Sequence, residues 1–417
     1  MRSALIALIL PLPACTFMTE NDEYYVGGSN GSSAPALSCD PLPAATGEAV
    51  SVTPEQAGEL PALVAAAASG TTFSLAAGTY LLSGEIVISV PGVTLRSAEN
   101  DASTVTLDGQ RNTNLIRVTA SDVTIAHLTL TRGNEIAVLV QPGPGLTGFR
   151  IHGTRIVDGG FEFLRAEGSP AGYADQGSVT CTEFQLTGEL RSDVCCPTCV
   201  LLGLNVIGGR DWALRDSRFL DLNCPGNDGG PPFAALFHGG ARDALIENNV
   251  FANPKRGLGL GFRPPIGPPR TFADAPHGGL ELEFIDGIAR NNVIFSNQGT
   301  FDTGIEINAA REPMILHNSV IYTSGYRSID WRYPETHAIV ANNLVVAMGA
   351  REGGTATITT NLESTPLGYF VDPSGLDFHL TAGAAAAIDA ATPFPDSGVD
   401  IDGQPHGGEP DIGADER

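Results

Sequence analysis

Ile246-Glu247-Asn248-Asn249-Val250-Phe251 is followed by Ala289-Arg290-Asn291-Asn292-Val293-Ile294, then by Leu316-His317-Asn318-Ser319-Val320-Ile321 and Val340-Ala341-Asn342-Asn343-Leu344-Val345. A degenerate copy, Leu214-Arg215-Asp216-Ser217-Arg218-Phe219, precedes them. Asn291 to Asn318 is 27 residues and Asn318 to Asn342 is 24. A period in this range is the signature of a solenoid. Each unit is a short apolar strand with an amide at its turn. Amides stacked at equivalent turns can hydrogen-bond up the stack, satisfying groups that burial would otherwise leave unpaired. Helical periodicity is nearly absent, so the coils are built of strands.

Composition agrees with this reading. Fifty glycines and twenty-nine prolines in 417 residues supply many turns. The net charge of −24 repels nucleic acid and anionic lipid, which removes both as partners. Lys255 is the single lysine. Met1-Arg2, the apolar run Ala4–Leu12 and a small residue before Cys15 form a secretory signal too short to span a bilayer. Leu12-Pro13-Ala14-Cys15 resembles the bacterial lipoprotein signal, with proline at a position usually small or β-branched. The resemblance implies a lipid on Cys15 as the one tie to a membrane; ordinary signal cleavage is the alternative. Residues 16–46, rich in Ser, Gly, Asn and Pro, read as a tether, and residues 47–417 as one domain.

Six further cysteines, Cys39, Cys181, Cys195, Cys196, Cys199 and Cys224, make an even count in an exported chain, which favours disulfides of undetermined pairing. Cys196-Pro197-Thr198-Cys199 lacks the βαβ surroundings of a redox motif; a zinc site is the competing reading. Thr53-Pro54-Glu55-Gln56 begins a helix, with Thr as N-cap and Gln three positions on, and Pro61 restarts it. Such a helix covers the open end of a solenoid.

Gly78-Thr79-Tyr80, Gly92-Val93-Thr94-Leu95 and Leu107-Asp108-Gly109 come in an order that resembles the opening coils of pectate-lyase-like right-handed parallel β-helices. Asp411-Ile412-Gly413-Ala414-Asp415-Glu416 is similar to the closing motif of exported bacterial β-helix proteins. The resemblance implies an all-β, right-handed parallel β-helix over residues 70–417 and leaves function open, because this superfamily hosts lyases, hydrolases, isomerases and adhesins. Asp400, Asp402, Gly403 and Glu409 also match four positions of a calcium loop, but capping of the final coil is the better account.

Aligning on the Asn pulses stacks Leu204–Ile207, Leu236–His238, Gly304–Asn308 and Ser328–Arg332, with Gly257–Phe262 beside them. Alternation turns Ile305, Ile307, Ile329 and Trp331 inward, and Glu306, Asn308, Asp330 and Arg332 outward. It turns Leu258, Leu260 and Phe262 inward, leaving Gly257, Gly259 and Gly261 as a smooth outer strip for a sugar polymer. His238 and Arg263 flank that strip. The expected walls are the insertions Pro264–His277 and Cys181–Cys199. Two chemistries fit. In a polysaccharide lyase, His238, Lys255, Arg256, Arg263 and Arg332 supply the base and the clamp on a uronate, and Glu306, Asn308 and Asp330 hold Ca²⁺. In a retaining glycosidase, Glu306 and Asp330 on neighbouring rungs act as acid and nucleophile. No complete signature is present: Phe237-His238-Gly239-Gly240 is only superficially similar to the Gly-His-Gly of polygalacturonases, and Glu281-Leu282-Glu283 resembles the Glu-x-Glu calcium motif of alginate and chondroitin lyases without its downstream Lys-Ser. The leading expectation is a monomeric surface lipoprotein acting on an extracellular, uronate-containing polysaccharide by β-elimination. A non-catalytic surface protein that binds glycan or a partner is the alternative.

Overall fold

A computed structural model of the chain describes residues 42, 47–189, 201–224, 232–274, 277 and 280–417. The architecture is a right-handed parallel β-helix. Strands collect into three long parallel sheets, one of fourteen strands (sheet A) and two of ten (sheets B and C). Successive coils visit A, B and C in turn; Leu245–Glu247, Val250–Ala252 and Arg256–Leu260 are one such coil.

The Asn doublets form the corner between sheets A and B, and their two residues divide the labour. The first bends the chain. His127, Cys181, Asp216, Asn248, Asn291, His317 and Asn342 all sit there with φ between 50° and 58°. Asn and Asp tolerate this left-handed conformation, which explains their frequency. The second residue points inward and stacks. Asn249 Nδ2 donates to Asn292 Oδ1 at 2.9 Å, Asn292 to Asn318 at 2.9 Å, Asn318 to Asn343 at 2.9 Å and Asn343 to Asn361 at 2.8 Å. Ser217 extends the ladder downward, taking the N–H of Thr182 on its hydroxyl at 3.1 Å. Beside it, Phe184, Phe219 and Phe251 stack at centroid separations of 4.5 and 4.7 Å.

The N-terminal cap forms as expected. Thr53 and Gln56 close a capping box on a short 3₁₀ turn, and a helix restarts at Leu60–Ala65 with Pro61 in its first turn. Leu60 and Val64 are wholly buried in the core. No helix among the described residues is long and apolar enough to cross a membrane. The C-terminal segment departs from the expectation of a cap on the final coil. Phe370, Phe378, Leu380, Ile412 and Ala414 pack with Val293, Phe295, Ile321 and Leu344, the outward side chains of sheet B. The tail is a strap along the flank, pinned where Asn291 Nδ2 donates to Ser397 and Val399 carbonyls at 2.7 and 2.6 Å. Asp400 braces its turn by accepting from the N–H groups of Asp402, Gln404 and Glu416 at 2.7–3.1 Å, so the calcium-loop reading is displaced. Cys181 and Cys224 carry no free thiol and are disulfide-bonded. Cys15, Cys39, Cys195, Cys196 and Cys199 lie outside the described residues, as does most of the Cys181–Cys199 insertion.

Candidate functional site

The strands aligned on the Asn pulses do stack, in sheet C. Leu202–Ile207, Phe233–His238, Arg256–Leu260, Thr303–Asn308 and Arg327–Arg332 are consecutive parallel neighbours. The glycine-bearing strand lies in the middle of the stack. Ile305, Ile307, Ile329, Trp331, Leu258 and Leu260 are core residues, and Glu306 and Asp330 are register partners.

The smooth strip does not exist. Gly257 faces inward: a Cβ there meets the Gly304 carbonyl and Ile294 of the core. Two successive inward residues, Gly257 and Leu258, break the alternation. Gly259 does face outward, but a Cβ meets Leu236 Cδ1 at 2.5 Å and Phe233 Cε1 at 2.9 Å. Gly261 is closed off by the Asn308 carbonyl and Glu283. Phe262, expected inward, joins an outer apolar cluster with Leu202, Phe233 and Leu236. All three glycines are buried.

Nor are the outward charges solvated. Glu306 is 2 % exposed and Asp330 0 %. Arginines from neighbouring rungs lie over them. Arg332 Nη1 is 3.5 Å from Glu306 Oε1, and Arg256 Nε is 3.8 Å from Glu306 Oε2 and 2.6 Å from Asp302. Arg351 pairs with Asp330, its Nε donating at 2.6 Å, and Arg327 stands 3.9 Å away. Arg332 also donates to Glu352 at 2.9 Å. Burial is the largest influence on Arg332 and Arg351 and would lower their pKa values; the hydrogen bonds to Glu352 and Asp330, together with the charges of the surrounding acidic groups, raise them on balance. Asn308 donates to Glu306 Oε1 at 2.7 Å. These partners engage one oxygen each of Glu306 and Asp330 and set guanidinium groups beside both carboxylates, while Glu306 Oε2, Asn308 Oδ1 and Asp330 Oδ1 make no hydrogen bond.

His238 belongs to a second group farther along the same face. Asn205 Nδ2 donates to Glu162 at 3.1 Å, which directs Asn205 Oδ1 to accept from His238 Nε2 at 3.1 Å. The ring is then a neutral tautomer with its lone pair on Nδ1, 3.9 Å from Glu283 Oε2. Burial first, then the nearby Arg165, push the imidazole pKa down to about 4. Burial pushes Glu283 upward, against the hydrogen bond from the Gly239 N–H and the charge of Arg263. Arg263 itself donates to the Glu281 carbonyl at 3.1 Å. Lys255 is buried beside the Arg256–Leu260 strand, its backbone bonded to Leu222 and Asp302.

A cleft of about 220 Å³ opens at His238, over a floor of Arg165 and Ile207. Ser169 and Tyr173 form one wall; Ile266 and Pro268, from the Pro264–His277 insertion, form the other. Arg270 anchors that insertion, pairing with Asp175 at 2.6 and 2.9 Å and lying 4.4 Å over the Tyr173 ring. An adjoining hollow of about 240 Å³ continues past Arg165 to Glu167 and Pro142. Of the six expected catalytic candidates only His238 lines the cleft, while Glu306, Asp330 and Arg332 lie together farther along sheet C. Arg165, Asn205 and Arg351 went unforeseen, and Glu283 was noted only within the Glu281-Leu282-Glu283 resemblance; extending the alignment by one coil in each direction would have reached Arg165 and Arg351.

No family model and no curated protein matches the chain. Among solved structures, a pectate lyase is similar at 14% identity and a TM-score of 0.43, over 89% of this chain and 97% of that one. A lacto-N-biosidase from Eubacterium ramulus is similar at 10% identity and a TM-score of 0.41, over 77% and 68%. An alginate lyase from Paenibacillus is similar at 13% identity and a TM-score of 0.36, over 76% and 99%.

Proposed function

We propose that the protein engages an extracellular polysaccharide along the outer face of sheet C, with one sugar unit seated in the cleft beside His238. One observation carries this reading. His238 Nδ1, Glu283 Oε1, Asn308 Oδ1, Glu306 Oε2 and Asp330 Oδ1 are all buried on or beside this face without a hydrogen-bond partner. Each such atom costs on the order of 1–3 kcal/mol while unsatisfied. All five are acceptors when the carboxylates are ionised, and a hydroxyl-rich ligand offers a matching row of donors. Proposed chemistry at the cleft is β-elimination. His238, neutral and with a lone pair on Nδ1, takes the proton from the carbon beside a uronate carboxylate that Arg263 holds; the carbon–carbon double bond forms as the adjacent glycosidic C–O bond breaks, and the departing oxygen leaves as a hydroxyl with a proton from water. A second reading draws on the register of Glu306 with Asp330. Two carboxylates on neighbouring strands, about 5 Å apart, suit retaining hydrolysis.

Acidic and neutral polysaccharides are screened with the full chain, reading ultraviolet absorbance for unsaturated products and reducing ends for hydrolysis. The expected result is unsaturated product, lost in His238→Ala with circular dichroism unchanged. Reducing ends without the absorbance, lost in Glu306→Gln, select hydrolysis. Binding without product selects the non-catalytic reading, and no binding to any glycan refutes the proposal. The same reading places the chain outside the cytoplasm on a lipid at Cys15; Cys15→Ser is then released from the membrane fraction, and retention of the variant there refutes the anchor.

A further inference from the structure

On the opposite flank, the C-terminal strap creates a second arrangement. A cleft of about 600 Å³ lies between it and the corner of sheets A and B. Its strap side presents Asp377, His379 and Asp402; its other side presents Asp216, Arg218 and Asn248. His379, Asp402 and Asp415 bring one ligand atom each to within 4.8 Å of one another. They come from three separate stretches: a strand Asp377–Leu380, the turn at 400–403 and the chain terminus.

We propose that His379, Asp402 and Asp415 form a site for a divalent transition metal of the Zn²⁺ type. Three features carry it beyond a cluster of acids. An imidazole nitrogen with two carboxylate oxygens is a mixed donor set that favours Zn²⁺ or Mn²⁺ over the all-oxygen preference of Ca²⁺ and Mg²⁺. Asp377 Oδ1 lies 2.6 Å from His379 Nδ1, and this outer carboxylate fixes the ring so that Nε2 points at Asp402, 2.9 Å away. A carboxylate behind a ligating histidine is the recurring second shell of metal sites. Finally, the one cationic partner of these carboxylates among the described residues is His379 itself, which faces Asp377 and Asp402. On sheet C arginines lie over the buried carboxylates, whereas among the described residues no arginine or lysine pairs with Asp377, Asp402 or Asp415. Asn248 lines the opposite side of the cleft, and its Oδ1 makes no hydrogen bond. The metal displaces the proton that His379 now shares with Asp402, and it ties the strand, the turn and the terminus together.

The test uses the full chain with its disulfides intact, stripped with chelator and titrated calorimetrically with ZnCl₂, MnCl₂ and CaCl₂. One equivalent of Zn²⁺ or Mn²⁺ is expected, with an affinity at least tenfold above that for Ca²⁺ and a metal-dependent rise in Tm. His379→Ala and Asp402→Asn should each weaken binding at least tenfold. Asp402 is half exposed, so its variant keeps the test valid if His379→Ala fails to fold. Absence of transition-metal binding, or equal binding by the wild type and a folded variant, overturns the proposal. Neither result bears on the glycan site, which lies on sheet C.

Discussion

Replacing Asn318 by Ala removes the middle of the amide ladder, and the loss can be worked bond by bond. Asn318 is fully buried. Its Oδ1 accepts from the Asn292 backbone N–H at 3.1 Å and from Asn292 Nδ2 at 2.9 Å. Its Nδ2 lies within 3.0 Å of the Ala289 and Leu316 carbonyls and of Asn343 Oδ1. Truncation leaves the Asn292 N–H buried without an acceptor, at about 1–3 kcal/mol. The lost Nδ2 bonds add about 1 kcal/mol each where the acceptor has no substitute, and Asn343 Oδ1 keeps one through the Asn318 N–H at 2.9 Å. The expected destabilisation is about 4 kcal/mol. Ser217 already shows a hydroxyl serving one backbone N–H at an equivalent corner, so Asn318→Ser should recover about 1–2 kcal/mol of that loss. Asn361, partly exposed at the ladder's end, should cost about half as much as Asn318 when truncated. Urea midpoints and Tm of the three variants and the wild type measure the order. Asn318→Ala within about 1 kcal/mol of wild type (the worth of one hydrogen bond), or Ser no better than Ala, refutes the view that the stacked amides hold the corner.

Three other outcomes are expected. Gly259→Phe should destabilise by about 2–4 kcal/mol in a melting experiment, because its first carbon already meets Leu236 at 2.5 Å. Asp330→Asn should cost on the order of 2–4 kcal/mol in urea unfolding, less than a fully enclosed pair because Arg327 and Arg351 reach water. Stability should fall in acid. Burial pushes His317 down to about 3 and His127 down to about 4, against an ordinary 6.5. The unfolded chain therefore binds more protons between pH 6.5 and these values, and stability drains as pH falls through that window. His317→Phe should flatten the slope there by up to about 1.4 kcal/mol per pH unit; an unchanged slope would show that His317 does not titrate in that range.

The corner was legible because two local demands coincide in one dipeptide. A left-handed residue and an inward amide are both met by Asn, so the doublet marks each coil in the sequence. Sheet C was legible from the same pulses, since a fixed distance from the corner fixes the register of the strand beyond it. The surface of that sheet was not. Direction along a strand comes from alternation, but exposure does not: Glu306 points outward and is covered by Arg256 and Arg332, partners 50 and 26 residues away. The inward pair Gly257-Leu258 was invisible for a related reason. Only the column Gly203, Ala234, Gly257, Gly304 and Ser328, read across five coils, shows that small residues fill an extra inward position there. Glycine was read as room for a ligand where it is room for a neighbouring strand.

The charge balance of sheet C sets a condition on any acidic substrate. Arg256, Arg327, Arg332 and Arg351 face Asp302, Glu306, Asp330 and Glu352, four against four, in a chain of net charge −24. None of these four arginines is surplus for a uronate. A guanidinium can clamp one only by giving up a carboxylate of its own, and Glu352 is the easiest to give up, because its side chain is 47% exposed while Glu306 and Asp330 are buried. Glu352→Gln keeps a hydrogen-bond acceptor on Arg332 and removes the competing charge. Its cost to folding should be small, about 0–1 kcal/mol, as for other exposed pairs. Its effect on an acidic polysaccharide should be a several-fold tighter Kd, diminishing with added salt, with no change for a neutral one. Tightening for both ligands would point to a change of shape; tightening for neither would remove Arg332 from the binding face and confine recognition to the cleft at His238.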